Sequence, residues 1–286
     1  MKFGELEIFV VSDGRFRLDG GAMFGVIPRP LWQRRMAPDE RNRVTLGLNC
    51  LLIRSTGKTI VVETGVGEKF EPKWQDIYGI EHSTTLVTSL QRCGVSPEEV
   101  DIIVNTHLHF DHCGGNTRFD SSGKAVPTFP RARYYVQRGE LEHARQPTDR
   151  DRASFLPDNF EPVAASGQWV LVEGDVEIAP RVELVRVPGH TRDMQCVRLT
   201  GGGRTAFFFA DLVPTTAHLD YAWMMGYDLY PLTTLEQKKR WIPEAVRNEW
   251  LCLFGHDPNV PAAFLRQRGG KVVPEPVREP ELVTTP

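Results

Sequence analysis

The feature that most constrains the fold is a cluster of metal-binding side chains placed directly after a short apolar run. Residues 100–104 read Val-Asp-Ile-Ile-Val, which is typical of a buried β-strand, and residues 106–112 read Thr-His-Leu-His-Phe-Asp-His. Imidazole nitrogens and carboxylate oxygens are ligands that suit zinc, iron, manganese or cobalt. Because sites in α/β proteins collect where strands end, the pattern predicts an α/β chain with one half of a two-metal hydrolytic centre at this strand end.

Three more candidate ligands stand at the ends of later strand-like runs. His190 follows residues 182–187, Asp211 ends a run with three consecutive phenylalanines, and His256 follows residues 251–254. A bare carboxylate at the end of so apolar a run would be costly to bury, and a metal ion is its natural partner. The candidate ligands are therefore seven side chains, His107, His109, Asp111, His112, His190, Asp211 and His256.

In these seven residues the chain resembles the metallo-β-lactamase superfamily, whose signature is His-x-His-x-Asp-His followed by a later His, Asp and His. The resemblance spans residues 46–257 and implies an α/β (α+β) fold, a four-layer αβ/βα sandwich of two mixed β-sheets flanked by helices. It also implies two divalent metal ions, with zinc favoured over iron, manganese or cobalt. One ion would be bound by His107, His109 and His190 and the other by Asp111, His112 and His256, with Asp211 bridging both.

Glu63 is the position at which the chain departs from the family pattern. The superfamily usually has Asp here, and that acid typically supports the loop of ligands from behind. Glu63 has one methylene more than Asp. Two interpretations stay open: Glu63 orients a metal ligand, or it is an ordinary residue between a strand and a turn.

The resemblance narrows by exclusion to the branch of acyl-homoserine lactonases and methyl-parathion hydrolases. Classical β-lactamases of this fold lack the third histidine of the motif and usually have Cys where Asp211 stands. Glyoxalase II enzymes and flavodiiron proteins need an additional domain, and RNA-cleaving members need a basic surface or an inserted domain. The branch implies that a metal-bridged hydroxide attacks a neutral lactone or carboxylic ester, and sometimes a phosphotriester, with Asp111 as a ligand that also transfers the proton.

Three alternatives depend on residues around the metal ligands. A phosphodiesterase would need cations near the metals, and Arg192 is the candidate anion anchor. A mono-iron oxidoreductase of the same fold commonly loses part of the second ligand set, which is complete in this sequence. A non-catalytic binding protein is the third alternative, and the intact ligand set argues against it.

Two apolar segments predict a substrate pocket for a small, neutral molecule. Residues 20–32 are interrupted by Gly and Pro, which predicts a loop that lines the pocket or contacts a second copy in a homodimer. Residues 212–227 follow Asp211 and are rich in aromatic and sulfur-containing side chains, which form a pocket wall or plain core. His218 is a candidate for substrate contact or proton transfer. The predicted pocket residues are Met23, Phe24, Ile27, Phe110, His218, Trp223, Met224, Met225 and Tyr227.

Length and composition set the remaining expectations. A chain of 286 residues without a linker predicts one catalytic domain over residues 1–286, with an irregular tail over 272–286. A net charge of −3 argues against nucleic acid as a partner, and no apolar run is long enough for a membrane helix. Without an N-terminal export signal or a CxxC pair, the five cysteines indicate a cytoplasmic protein with reduced thiols.

Hydrophobic patterns predict short strands in both halves of the chain, with helices between them. The capping box at residues 96–99 marks a short turn and the one at 233–236 marks a helix start, and residues 146–167 are expected to be a loop with one helical turn. The predicted helices cover 84–93, 139–145 and about 233–250. The predicted strands cover 6–12, 46–54, 59–63, 100–105, 132–136, 169–172, 176–178, 182–187, 194–199, 205–210 and 251–254.

Overall fold

The computed structural model describes residues 1–277, which form sixteen β-strands and eight α-helices. The strands are β1 (Lys2–Phe3), β2 (Leu6–Asp19), β3 (Arg43–Ser55), β4 (Lys58–Val62), β5 (Ile102–Val104), β6 (Thr117–Phe119), β7 (Ala125–Pro127), β8 (Arg133–Gln137), β9 (Trp169–Val172), β10 (Val176–Ala179), β11 (Val182–Arg186), β12 (Gln195–Gly201), β13 (Arg204–Phe208), β14 (Leu251–Leu253), β15 (Ala262–Arg268) and β16 (Lys271–Pro276).

The helices are mostly short. They are α1 (Gly20–Phe24), α2 (Arg29–Trp32), α3 (Pro72–Tyr78), α4 (Leu86–Arg92), α5 (Phe110–Cys113), α6 (Arg138–Arg145), α7 (Glu161–Ala165) and α8 (Pro231–Arg247). Additional 3₁₀ turns cover Pro97–Glu99, Gly114–Asn116, Arg152–Ser154, Pro157–Asn159, Ala210–Leu212 and Thr216–His218.

Two seven-stranded mixed sheets pack face to face. The first has the order β1-β2-β3-β4-β5-β8-β9 and the second runs from β10 to β16 in sequence order. Strands β4, β5, β8 and β9 are parallel neighbours, as are β13 and β14, whereas the other neighbours are antiparallel. The main core lies between the sheets, where Ile53 and Val104 of the first belong to the same buried cluster as Leu184 and Leu253 of the second.

Helices cover the outer face of each sheet. Leu86 and Leu90 of α4 pack with Leu52 and Ile103 of the first sheet in a separate buried cluster. On the second sheet, Trp241 of α8 stacks on Phe207, with ring centroids 5.0 Å apart. The layers are therefore helix, sheet, sheet and helix, which confirms the predicted αβ/βα sandwich.

Two predictions about irregular segments are wrong. Residues 20–32 contain α1 and α2 instead of a plain loop, because Asp19 caps α1 by accepting a hydrogen bond from the Ala22 amide (2.9 Å) and Phe24 stacks on Trp32 (5.4 Å). The tail expected from residue 272 begins within β16, which pairs with β15 at the edge of the second sheet. Proline is tolerated on an edge strand because no ladder hydrogen bond is required there. Residues 278–286 of the predicted tail lie outside the described part.

The predicted strands and helices all occur in the structure, but β2 extends to Asp19, and the short elements β1, β6, β7 and α5 were not predicted. The capping box over Ser96 and Glu99 is confirmed. The box at residues 233–236 is wrong, because α8 starts at Pro231, directly after Tyr230. The stretch 146–167 holds two 3₁₀ turns and α7, and β15 and α3 were not predicted. Within residues 1–277, no helix combines the length and the apolar character needed to cross a membrane.

Candidate metal centre

The seven predicted ligands meet at one edge of the sandwich, where strands of both sheets end. The His-x-His-x-Asp-His run follows β5, Asp211 lies in the 3₁₀ turn after β13, and His256 follows β14. Gln195 joins the two sheets at this edge, because its amide donates to the Thr106 carbonyl and its side chain donates to the Asn105 carbonyl, each over 2.9 Å. These hydrogen bonds between the two sheets therefore hold the ligands that follow strands of the first sheet close to those that follow strands of the second.

A first cluster contains His107, His109, His190 and one oxygen of Asp211. His109 Nδ1 lies 3.1 Å from both His107 Nε2 and His190 Nε2. Asp211 Oδ2 lies 3.2 Å from His190 Nε2 and 3.9 Å from His107 Nε2. Four potential ligand atoms thus surround one point.

A second cluster contains Asp111, His112, His256 and the other oxygen of Asp211. The Nε2 atoms of His112 and His256 are 2.9 Å apart. Asp211 Oδ1 lies 3.4 and 3.3 Å from these two nitrogens, and Asp111 Oδ2 lies 3.7 and 3.5 Å from them. The two carboxylate oxygens of Asp211 therefore face different clusters.

The geometry of both clusters fits divalent metal ions. A tetrahedral zinc ion with ligand distances near 2.0–2.1 Å separates its ligand atoms by roughly 3.3–3.4 Å, and the separations here run from 2.9 to 3.9 Å. Asp211 Oδ1 is buried and has no hydrogen-bond partner among the described residues, so a cation would satisfy it. Side-chain groupings able to hold an ion occur in both clusters.

The outer ring nitrogens are held in orientations that suit metal binding. His256 Nδ1 lies 2.9 Å from the Gly47 carbonyl oxygen, which can only accept, so Nδ1 carries the proton and Nε2 presents its lone pair to the cluster. His190 Nδ1 lies 2.9 Å from the Asp228 carboxylate. Such partners fix the tautomer and the ring orientation of metal-binding histidines.

The electrostatics of three ligands, His107, His109 and Asp211, suit metal binding. Burial lowers the pKa of His107 and of His109 well below the usual value for histidine. Burial alone would raise the pKa of Asp211, but the surrounding His112, His256 and His190 hold that pKa well below its usual range. Neutral imidazole and ionised carboxylate are the protonation states that bind metal ions.

Glu63 lies directly behind the second cluster. Its backbone is in the left-handed region, with φ of +64°, which is uncommon for a residue other than glycine. Its Oε1 accepts a hydrogen bond from the Thr106 amide (3.1 Å) and lies 3.4 Å from His112 Nδ1. The structure therefore places this carboxylate against both the ligand loop and one ligand.

A cavity of about 350 Å³ opens above the two clusters. Five of the seven ligands form its floor, and four predicted pocket residues, Met23, Phe110, Met225 and Tyr227, lie on its wall. Sequence reasoning missed other wall residues, which include Leu18, Leu46, Tyr78, Arg150, Ser154 and Leu229. Nothing in the sequence of α3 or of the loop after α6 indicates that these segments reach the metal ligands.

Five other predicted pocket residues lie behind the wall and do not line the cavity: Phe24, Ile27, His218, Trp223 and Met224. His218 was expected to contact substrate, but it is fully buried. Its Nε2 donates to the Met23 carbonyl (2.9 Å), its Nδ1 accepts from the Thr215 hydroxyl (2.7 Å), and its ring stacks on Phe24 (4.7 Å). The His218 side chain therefore joins residues 20–32 to residues 212–227 behind the wall.

The candidate anion anchor is also displaced from the cavity. Arg192 pairs with the adjacent Asp193 over 2.8 Å, its side chain is 59% exposed, and it does not line the cavity. The cation that does line the cavity is Arg150. His143 Nε2 lies 2.5 Å from the Asp151 carboxylate.

The fold and this site define a metallohydrolase of the αβ/βα sandwich type. A sequence match to the metallo-β-lactamase superfamily covers residues 44–261, so the chain belongs to that superfamily and is a metal-dependent hydrolase. The predicted family and fold are thereby confirmed.

Two relatives and two solved structures illustrate the similarity. N-acyl homoserine lactonases of Bacillus cereus and of a Bacillus species are each 27% identical, over 82% and 94% of this chain and 88% and 98% of their own length. A probable metal-dependent hydrolase from Staphylococcus aureus superposes with a TM-score of 0.90 at 29% identity, covering 98% of this chain and 99% of the other. AidC, a dizinc quorum-quenching lactonase, superposes with a TM-score of 0.78 at 19% identity over 97% and 96%, which shows the shared fold.

Proposed function

We propose that this chain hydrolyses lactones and related neutral carboxylic esters with two divalent metal ions bound per chain. The observation that carries the proposal is the position of Asp211, whose two oxygens face two separate ligand clusters on the floor of a partly apolar cavity. The similarity to N-acyl homoserine lactonases supports the substrate class.

The proposal assigns the ligands as the geometry groups them. One ion is held by His107, His109 and His190, the other by Asp111, His112 and His256, and Asp211 bridges. Zinc is the favoured ion, because the ligands are nitrogen and carboxylate oxygen at separations that fit a tetrahedral ion. When bound, such a pair supplies a hydroxide at neutral pH and polarises the carbonyl under attack.

Residues of the chain supply the remaining chemistry. Asp111 is one of the floor carboxylates, and in the proposal it takes the proton of the nucleophile and passes it to the leaving alkoxide. Two tyrosines, Tyr78 and Tyr227, line the wall of the cavity. Burial raises the pKa of each, with the charge of Asp111 adding to the effect at Tyr78, so both remain protonated donors for a substrate oxygen.

The cavity favours a small neutral substrate. Apolar side chains, Leu18, Met23, Leu46, Phe110 and Met225, form much of its wall. Because such a wall solvates an acyl chain better than a charged group, a neutral substrate is favoured over a phosphodiester. The similarity to N-acyl homoserine lactonases places lactones and carboxylic esters first and organophosphate triesters second in this proposal. The phosphodiesterase alternative depended on Arg192, which pairs with Asp193 away from the cavity. The mono-iron oxidoreductase alternative does not explain why all ligands of the second cluster are present.

A panel of four substrates tests this proposal. We would measure kcat/KM of the zinc-loaded enzyme on an acyl-homoserine lactone, an aryl carboxylic ester, an aryl phosphotriester and a bis-aryl phosphodiester. The proposal expects the lactone or the ester to be preferred, and Asp211→Asn to lose that activity. Preference for the phosphodiester, or no turnover of any substrate, would refute it.

We propose one cytoplasmic catalytic domain over residues 1–286 and a homodimer contact at residues 20–32. Two exposed apolar side chains support the contact, because Val26 is 88% and Leu31 49% exposed. Sedimentation velocity of a Val26→Asp, Leu31→Asp double variant tests it. A wild-type chain that is already a monomer, or a variant that remains a dimer, would refute this contact.

A further inference from the structure

We infer that Arg150 determines specificity by binding a carbonyl oxygen of the substrate that is remote from the bond to be cleaved. The preferred substrates would then be lactones or esters that carry an amide or a second carbonyl group. This inference rests on the proposed function and deepens it.

Arg150 lies at the rim of the cavity, above the floor. It belongs to the loop between α6 and the 3₁₀ turn at Arg152, and its side chain lines the same cavity as the metal ligands. Arg150 is exposed, whereas each of the seven ligands is at most 9% exposed. A group bound by Arg150 therefore lies nearer the solvent than the reacting carbonyl.

The guanidinium is anchored but not neutralised. Its Nη2 donates to the Gly226 carbonyl over 2.6 Å, and the Gly226 amide in turn donates to the Ala22 carbonyl over 2.7 Å. Within residues 1–277, no carboxylate lies within ion-pair distance of Arg150. An arginine has five N–H donors in a fixed planar arrangement, so several remain for a ligand.

Neighbouring charges do not compete for this guanidinium. Asp149 pairs with Arg152, and Asp151 accepts hydrogen bonds from Thr148 and lies against His143. The other arginine nearby, Arg145, pairs with Glu161 over 2.8 Å. The charge of Arg150 is thus left to face the cavity.

The surroundings favour a neutral carbonyl as the ligand of Arg150. Charge-assisted hydrogen bonds to a carbonyl oxygen are stronger than neutral ones and depend on direction. A second anionic group on the substrate would lie among partly apolar side chains and on the same wall as the Asp151 carboxylate. An amide carbonyl offers an acceptor without that cost of desolvation.

A matched pair of lactones separates these roles. The probes are N-hexanoyl-homoserine lactone and a hexyl-substituted γ-butyrolactone, which has a similar chain but no amide group. The bis-aryl phosphodiester of the panel above is the third substrate. The variants are Arg150→Met, Arg150→Lys and, as a control from the same loop, Arg152→Met. All are zinc-loaded, and kcat and KM are measured separately.

We expect Arg150→Met to raise KM for the amide lactone by about 10-fold or more, the effect of a lost hydrogen bond to a charged group. Its kcat on that lactone, and both constants on the amide-free lactone, should change less than about 2-fold. Arg150→Lys should raise KM for the amide lactone by an intermediate factor. Arg152→Met should leave kcat and KM unchanged for both lactones.

Other results overturn the inference. An equal loss of kcat/KM on both lactones would mean that Arg150 only holds the Gly226 segment in place. Unchanged constants on both would mean that Arg150 takes no part in substrate recognition. Loss of phosphodiester cleavage with unchanged lactone cleavage would make it an anion anchor. If wild-type enzyme cleaves neither lactone, both the inference and the proposed function fail, whereas normal wild-type activity with equal losses overturns the inference alone.

Discussion

The floor and the wall of the cavity are built in different ways. Each floor ligand lies in a turn or a short helix close behind a strand, and the sandwich fixes its position. The wall comes from the end of β2, from α1, α3 and the loop after α6, and from residues 225–229. Single hydrogen bonds, such as those from Arg150 to Gly226 and from His218 to Met23, join several of these segments. In the proposed function, the floor therefore sets the reaction and the wall sets the substrate.

The largest effect is expected from Asp211→Asn, which breaks the floor. Losing the shared carboxylate charge should remove several kcal/mol of stabilisation, so kcat/KM should fall by roughly 10³-fold for every substrate. Kinetics on the full panel measure this, with circular dichroism to confirm folding. A loss confined to one substrate would contradict the distinction between floor and wall.

Glu63→Gln tests how far the floor extends. Because Glu63 lies 3.4 Å from His112 Nδ1, removing its charge should weaken zinc binding at the second cluster by about 10- to 100-fold. Competition with a chromophoric zinc chelator measures the affinity. Glu81→Gln, an exposed acid, is the matched control. Unchanged affinity would favour the other interpretation, in which Glu63 only ends its strand.

The floor could be predicted from sequence and most of the wall could not. Ligand chemistry and apolar runs are local signals, so Asp211 after three phenylalanines was identifiable without a structure. Tyr78 and Arg150 reach the cavity only through tertiary packing, and neither has a local signature. His218 has the residue type expected of a site, yet its two hydrogen bonds hold loops together behind the wall.

The wrong predictions for residues 20–32 and for the tail from residue 272 have one physical cause. Helices as short as α1 and α2 are not stable by propensity alone, and here burial of Met23, Phe24 and Trp32 stabilises them. Strand β16 contains two prolines, which argue for an irregular tail until its position at the sheet edge is known. Tertiary contacts overrode local preference in both segments.

His218→Gln sharpens the comparison by testing what holds the wall. Burial lowers the pKa of His218 to about 3, so the folded protein excludes a proton that the unfolded chain takes up below its pKa of about 6.5. Because the unfolded state binds more protons between these values, the free energy of unfolding falls as the pH drops through that window. Between pH 7 and pH 5 the wild type should lose about 2 kcal/mol more than the variant.

Urea unfolding at the two pH values, with zinc held in excess, measures this difference. The floor histidines are the same in both proteins, so their titration cancels in the comparison. Equal pH dependence in wild type and variant would show that His218 does not exclude a proton in the folded state.

The smallest effect is expected from Met225→Ala on the wall. The side chain is 5% exposed and lines the cavity, so truncation should enlarge the cavity without touching the floor. The ratio of kcat/KM for decanoyl- to butanoyl-homoserine lactone should rise about 5-fold, which corresponds to roughly 1 kcal/mol, the lower end of what one methylene contributes in an apolar pocket. An equal fall for both chain lengths would place Met225 with the floor instead.

The number of zinc ions bound per chain tests the central claim most directly. Enzyme stripped with a chelator, reloaded with zinc and dialysed would be analysed by inductively coupled plasma mass spectrometry, beside His256→Ala, which removes one ligand of the second cluster only. The account predicts two ions per wild-type chain and about one per variant chain. A single ion in the wild type, or two in the variant, would contradict a centre shared through Asp211.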